Sequence, residues 1–245
     1  VICVLEKYHK ISRMAQPDNM SLENQASIIS ITNLTPITIP NQPWFPYEIT
    51  QNMDDFIIAP KVYQNDRDYF YPLYFRGFKC KIQTPVMQLM FGVQQYKNPG
   101  SDIQKYSLHL SLRSGDSETK QFKTLLREID TYAKINSTLP PETYFSAIRH
   151  NYANPDLHPV LRVKIPSQDD TDVLLCDIYT EHHVINEPTY AEAAELLKHK
   201  TYVRCILELS NIWVAGNKFG VSYKLIQLQV IPQNAGQPMF RENIP

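Results

Sequence analysis

Glycine is scarce in this chain, 7 residues of 245. No glycine-rich phosphate loop of the GxxxxGK[ST] or GxGxxG kind occurs, nor a GxSxG elbow or an HExxH pair. No apolar run approaches the ~18 residues of a membrane helix, and no secretory signal is present. The four cysteines (Cys3, Cys80, Cys176, Cys205) are far apart, without a CxxC pair for zinc or a dense disulfide framework. They read as small buried hydrophobes in a reducing compartment. Net charge is only −1, so any polyanion binding must come from local segregation of charge. The pairs and runs that remain are weak: adjacent His182 and His183 point oppositely on a strand, and 168–172 lacks the glycine and closing glutamate of a calcium loop. Neither a cofactor, a metal nor a catalytic constellation is expected, and a binding protein is favoured over an enzyme.

Proline (18) and tyrosine (15) are abundant. Proline is concentrated in 36–60, where 36–49 must be extended rather than helical because proline fixes φ and biases its predecessor away from the helix. Trp44, Phe45 and Tyr47 in that stretch are read as packing onto the body rather than as a ligand platform.

The centre of the chain is 69–113. It reads as a pair of strands, 73–83 and 105–113, joined by an apolar crossing and a turn at Asn98-Pro99-Gly100. Side chains alternate along a strand. Phe78, Cys80 and Ile82 therefore share one side and Phe75, Lys79 and Lys81 the other, while Tyr106, Leu108, Leu110 and Leu112 oppose Lys105, Ser107, His109, Ser111 and Arg113. One face is apolar and the other wet and positive.

Elsewhere the pattern gives a terminal helix or arm in 1–14, strands at 27–39 and 55–62, and an amphipathic helix over 117–134 with the stripe Phe122, Leu125, Leu126, Ile129, Tyr132 and Ala133. A short helix is predicted from Pro141 using Tyr144, Phe145 and Ile148. Strands follow at 159–165, 173–179 and 201–209, and the capping box Thr189-x-x-Glu192 opens a helix over 190–199. The last strand, 219–230, changes parity between Leu225 and Ile226, which implies a bulge. Short strands with inserted helices and one bulge indicate an α+β, β-rich fold: an OB-fold-like Greek-key barrel at 26–232, preceded by an arm at 1–25 and followed by a tail at 233–245.

The polar parities of these strands collect Lys79, Lys81, Lys105, Arg113, Arg162, Lys164, Arg204 and Lys224 against only Asp177 and Glu208. Phe75, Tyr96, Tyr202, Trp213 and Phe219 are the candidate stacking rings. Cations for phosphates and rings for bases are what a single nucleic-acid strand needs. By contrast, 169–195 holds eight acidic residues and no Lys or Arg.

Three segments, FKCKIQTPVMQLMFGVQQY with KYSLHLSL, then LHPVLRVKIPSQDDTDVLLCDIY, then VRCILELSNIWVAGNKFGVSYKLIQLQVIP, resemble the single-stranded DNA-binding proteins of nucleocytoplasmic large DNA viruses, that of African swine fever virus and giant-virus relatives included. The resemblance implies an OB-fold core that binds single-stranded DNA without sequence preference in viral replication, recombination or repair, often as an oligomer, in a cytoplasmic viral factory or the nucleus, with packaging in the virion as a further alternative. Matching positions are Gln83, Thr84 and Pro85, then Arg162 and Lys164, then Gly220, Ser222 and Lys224. RNA is the alternative ligand, and a structural or virion-assembly protein using the same β-rich body for protein contacts is the alternative function.

Overall fold

The computed structural model describes residues 43–232 except 66, 98–102, 114, 151–157 and 169–170. The expected arm, the 27–39 strand, the Asn98-Pro99-Gly100 turn, Cys3 and the 233–245 tail lie outside the described residues. A compact unit begins at Pro43.

In chain order the strands are β1 (Phe56–Ile58), β2 (Val62–Tyr63), β3 (Tyr69–Phe75), β4 (Phe78–Gln83), β5 (Met87–Gln88), β6 (Gln94–Lys97), β7 (Gln104–Ser111), β8 (Ile148–Arg149), β9 (Val160–Ile165), β10 (Asp177–Tyr179), β11 (Val184–Asn186), β12 (Tyr202–Ala215) and β13 (Lys218–Ile231). The α-helices are α1 (Pro46–Thr50), α2 (Ser117–Asn136) and α3 (Tyr190–Leu196).

The spine is the antiparallel hairpin of β12 and β13, 14 residues each, which turns at Gly216 with φ +58°. Around it the sheet runs β1-β3-β4-β12-β13-β9-β7-β6, with β10 also beside β13. The hairpin carries two bulges. Leu225 faces Leu207 and Gln227 faces Ile206, which leaves Ile226 as the extra residue foreseen from the parity change; Ser210 is extra on the other strand. Each bulge reverses the alternation and increases local twist, so the sheet curls. The class is the expected β-rich α+β, and the curled, bulged sheet with inserted helices is consistent with an OB-like fold.

One face of this sheet is the core. Leu108, Leu110, Leu161, Val163, Val203, Cys205, Leu207, Leu209, Tyr223 and Leu225 are buried there, and α2 contributes Phe122, Leu125, Leu126, Ile129 and Ala133. Each such apolar side chain contributes about 1.5–3 kcal/mol on burial. Asp116 caps α2 by accepting the Thr119 N–H at 2.6 Å, and Thr189 and Glu192 form the capping box on α3. Cys80, Cys176 and Cys205 are free and buried; burial pushes the thiols up, that of Cys176 to about 12.

Four expectations need correction. The stretch 36–49 does not stay extended: Pro46 opens α1 from its first turn, where the N–H that proline lacks has no partner in a helix. The segment 73–83 is not one strand but the end of β3, a turn at Arg76 and Gly77, and β4. Both turn residues have positive φ, 52° and 81°, as a tight hairpin turn requires. Arg76 tolerates this because Asp55 holds it twice: the Arg76 N–H donates to Asp55 O at 3.0 Å and its Nε to Oδ2 at 2.7 Å. Nor do the two central strands pair with each other, since β12, β13 and β9 lie between β4 and β7. Finally, the helix expected after Pro141 is a single 3-10 turn, Pro141–Thr143. Beyond it the chain is extended: the Phe145 N–H donates to Phe219 O at 2.7 Å, and β8 then joins β9.

Candidate nucleic-acid interface

Residues opposite one another across a ladder share a face. Following the register from β4 outward gives one row: Lys81 faces Glu208, Glu208 faces Lys224, Lys224 faces Lys164, Lys164 faces Ser107, and Ser107 faces Gln94. Arg162 opposite His109 and Lys105 opposite Tyr96 flank this row. Strands distant in the chain thus bring Lys81, Lys105, Arg162, Lys164 and Lys224 onto one face, as the polar parities predicted.

The electrostatics are those of crowded like charges. Lys164 as a residue is open to solvent, but its ammonium end is turned down, donating from Nζ to Ser222 Oγ at 2.8 Å, and Ser222 is buried. Burial of that end, then Lys105, Arg162 and Lys224, lower its pKa to about 8. Burial and the neighbouring Arg162 also lower Arg149, while burial, Arg162 and Arg149 lower His109. Glu208, buried, is the one acid in the row, with Lys79 Nζ 3.8 Å from its Oε2.

Rings are interleaved with these cations. The Arg162 guanidinium lies 4.3 Å from the centroid of Tyr96, and that of Arg149 lies 3.8 Å from Phe145. Phe145, 42% exposed, meets Trp213 edge-on at 6.3 Å, and Phe70 faces Trp213 from β3. Phe91, 49% exposed, meets His109 edge-on at 5.7 Å. Gly220 makes the Trp213 and Phe145 arrangement possible, because a Cβ there would overlap Phe145 O and come within 2.8 Å of the indole.

Not every expected residue belongs here. Phe75 and Phe219 are 0% exposed and are core side chains that cannot stack on a base. Phe75 falls on the core side because the Arg76 turn breaks the alternation; Phe219 is the second residue of β13 and lies on its apolar side, where Tyr144 packs edge-on against it at 5.2 Å. Arg113 is exposed past the end of β7, beyond these rows. Tyr202 and Arg204 share the Glu208 side of β12 but lie toward its start, where Arg204 lines a hollow of about 300 Å³ with Gln83, Tyr179, Gln227 and Gln229. Of the positions matched through the resemblance, Gln83 lines that hollow, and Thr84 is buried with its Oγ accepting the Cys205 N–H at 3.0 Å, a structural contact.

Sequence reasoning missed Phe70, Phe91, His109, Phe145 and Arg149. His109 was on the wet parity and could have been taken; Phe145 and Arg149 were hidden by the mistaken helix.

No protein-family model and no curated protein sequence matches the chain. Among solved structures, the fold is similar to the single-stranded DNA-binding protein from bacteriophage Enc34, with 11% identity and a TM-score of 0.38 over 74% of this chain and 95% of that one. A likeness so distant assigns no residue and no role, and it does not point to the large-DNA-virus family in particular.

Proposed function

We propose that the protein binds single-stranded DNA without reading its sequence, as a binding rather than a catalytic protein. The observation that carries this is Lys224 directly beside Lys164, with Lys105 and Arg162 close enough to depress the Lys164 pKa. Like charges opposite one another destabilise a sheet, so the arrangement works against the fold. A row of phosphates turns that repulsion into attraction, with release of counterions. The half-exposed rings beside the cations suit unpaired bases, whose faces are free to stack, and stacking tolerates any sequence. Protection of single strands in the replication, recombination or repair of a large DNA virus, in a viral factory or the nucleus, is the setting we propose.

The test is a fluorescence titration of matched single-stranded DNA, duplex DNA and RNA at two salt concentrations. Tighter binding of single-stranded DNA than of the duplex, weakened by salt, is the expected result. Absence of binding to either single strand, or preference for the duplex, contradicts the proposal and returns the face to protein contacts.

A further inference from the structure

Beside the interface, α2, the end of β7 and the segment leading through β8 enclose a cavity of about 490 Å³, within the range of small-ligand sites. On one wall Lys123, Arg127 and Asp130 follow at i, i+4 and i+7, so they share a side of α2 that flanks its buried stripe. Arg149 lines the other wall, while Leu112 and Ile148 supply apolar surface.

Asp130, the one acid among the described lining residues, is hydrogen-bonded within the wall. Its Oδ1 accepts from the Tyr144 hydroxyl and its Oδ2 from Ser146 Oγ at 2.7 Å. Among the described residues neither Lys123 nor Arg127 has a carboxylate partner. Among the described residues the lining thus sets three cations, Lys123, Arg127 and Arg149, against one carboxylate, a positive excess that suits an anion. Arg149 also stacks on Phe145, whose ring meets Trp213 as well, so the cavity and the open face share a wall.

We propose that this cavity is an end site: it takes the phosphate-bearing terminal nucleotide of a strand, or a free nucleoside monophosphate, with the phosphate on Lys123, Arg127 and Arg149 and the base or sugar against Leu112 and Ile148. A planar guanidinium and a flexible ammonium suit a dianionic terminal phosphate better than the singly charged internal ones. The inference rests on the proposed function only for the choice of a nucleotide as carrier.

The test compares short oligo-dT with a 5′-phosphate, a 3′-phosphate or neither, and thymidine monophosphate with thymidine, on the full chain and on Lys123→Glu/Arg127→Glu. A gain of about tenfold from the phosphate in the wild type, lost in the double variant, is expected. The arm showing the gain tells a strand end from a free nucleotide. No gain from phosphate in any arm overturns the end site, even if plain oligo-dT binds, in which case the open face is the whole site. A gain retained in the double variant also overturns it. Binding of the monophosphate without binding of oligo-dT keeps the cavity and removes the single-strand function.

Discussion

The ammonium of Lys164 donates to Ser222 Oγ at 2.8 Å in the company of three other cations, and this contact makes both stability and binding depend on pH. The folded pKa is lowered, to about 8 against 10.5 for an ordinary lysine. Below 8 the side chain is charged whether folded or unfolded, and the folded state bears the full repulsion. Between 8 and 10.5 the unfolded chain holds more protons, so stability rises with pH across that window. Binding has the opposite sign, because phosphates restore the proton. Calorimetric titration of oligo-dT near pH 8 in buffers of different ionisation enthalpy should show proton uptake, abolished in Lys164→Met. Proton release, or uptake unchanged in the variant, removes Lys164 from the interface.

Glu208→Gln separates stability from binding at the centre of the row. The carboxylate faces both Lys81 and Lys224 and lies near Lys79, so its loss should destabilise the fold by about 1 kcal/mol. The same change removes the acid that repels phosphates, and affinity for oligo-dT should rise several-fold. Denaturant unfolding and anisotropy titration of one preparation check both signs.

Buried and exposed rings should part company. Tyr96→Ala, Trp213→Ala and Phe145→Ala should each weaken oligo-dT binding by about 1–3 kcal/mol. Phe75→Ala and Phe219→Ala, which open holes at fully buried positions, should lower stability by about 3–5 kcal/mol and leave the affinity of the folded fraction unchanged. Equal effects on binding from both sets would show that the stacking surface has been misplaced.

Gly220→Ala tests the support beneath those rings. The added methyl overlaps Phe145 O and crowds the Trp213 indole, and backbone cannot give way as a side-chain tip does. A stability loss of about 1–3 kcal/mol together with weaker oligo-dT binding is expected, read by thermal melting and titration.

The contrast between Phe75 and Lys224 shows what the sequence made legible. Alternation within 159–165, 201–209 and 219–230, the slip at Ile226 and the stripe on α2 follow from local periodicity, and alternation puts Arg162, Lys164 and Lys224 each on the polar side of its own strand. Phe75 failed because alternation holds only while the strand continues, and a turn built on Arg76 and Gly77 carries a weaker signature than Asn-Gly. Arg149 and Phe145 were illegible for another reason: Pro141 opens a helix and a 3-10 turn equally well, and the pairing of Ile148 and Arg149 with β9 is a long-range contact that no local pattern encodes. Which basic strands become neighbours was likewise a matter of topology.

The salt dependence of oligo-dT affinity tests the central claim most directly. A single strand lying across Lys105, Arg149, Arg162, Lys164 and Lys224 should give a slope of log affinity on log salt of about −3.5, at ~0.7 per phosphate. Arg162→Gln/Lys224→Gln should make it shallower by about 1.4. A slope unchanged in that double variant, or one near zero in the wild type, contradicts the account.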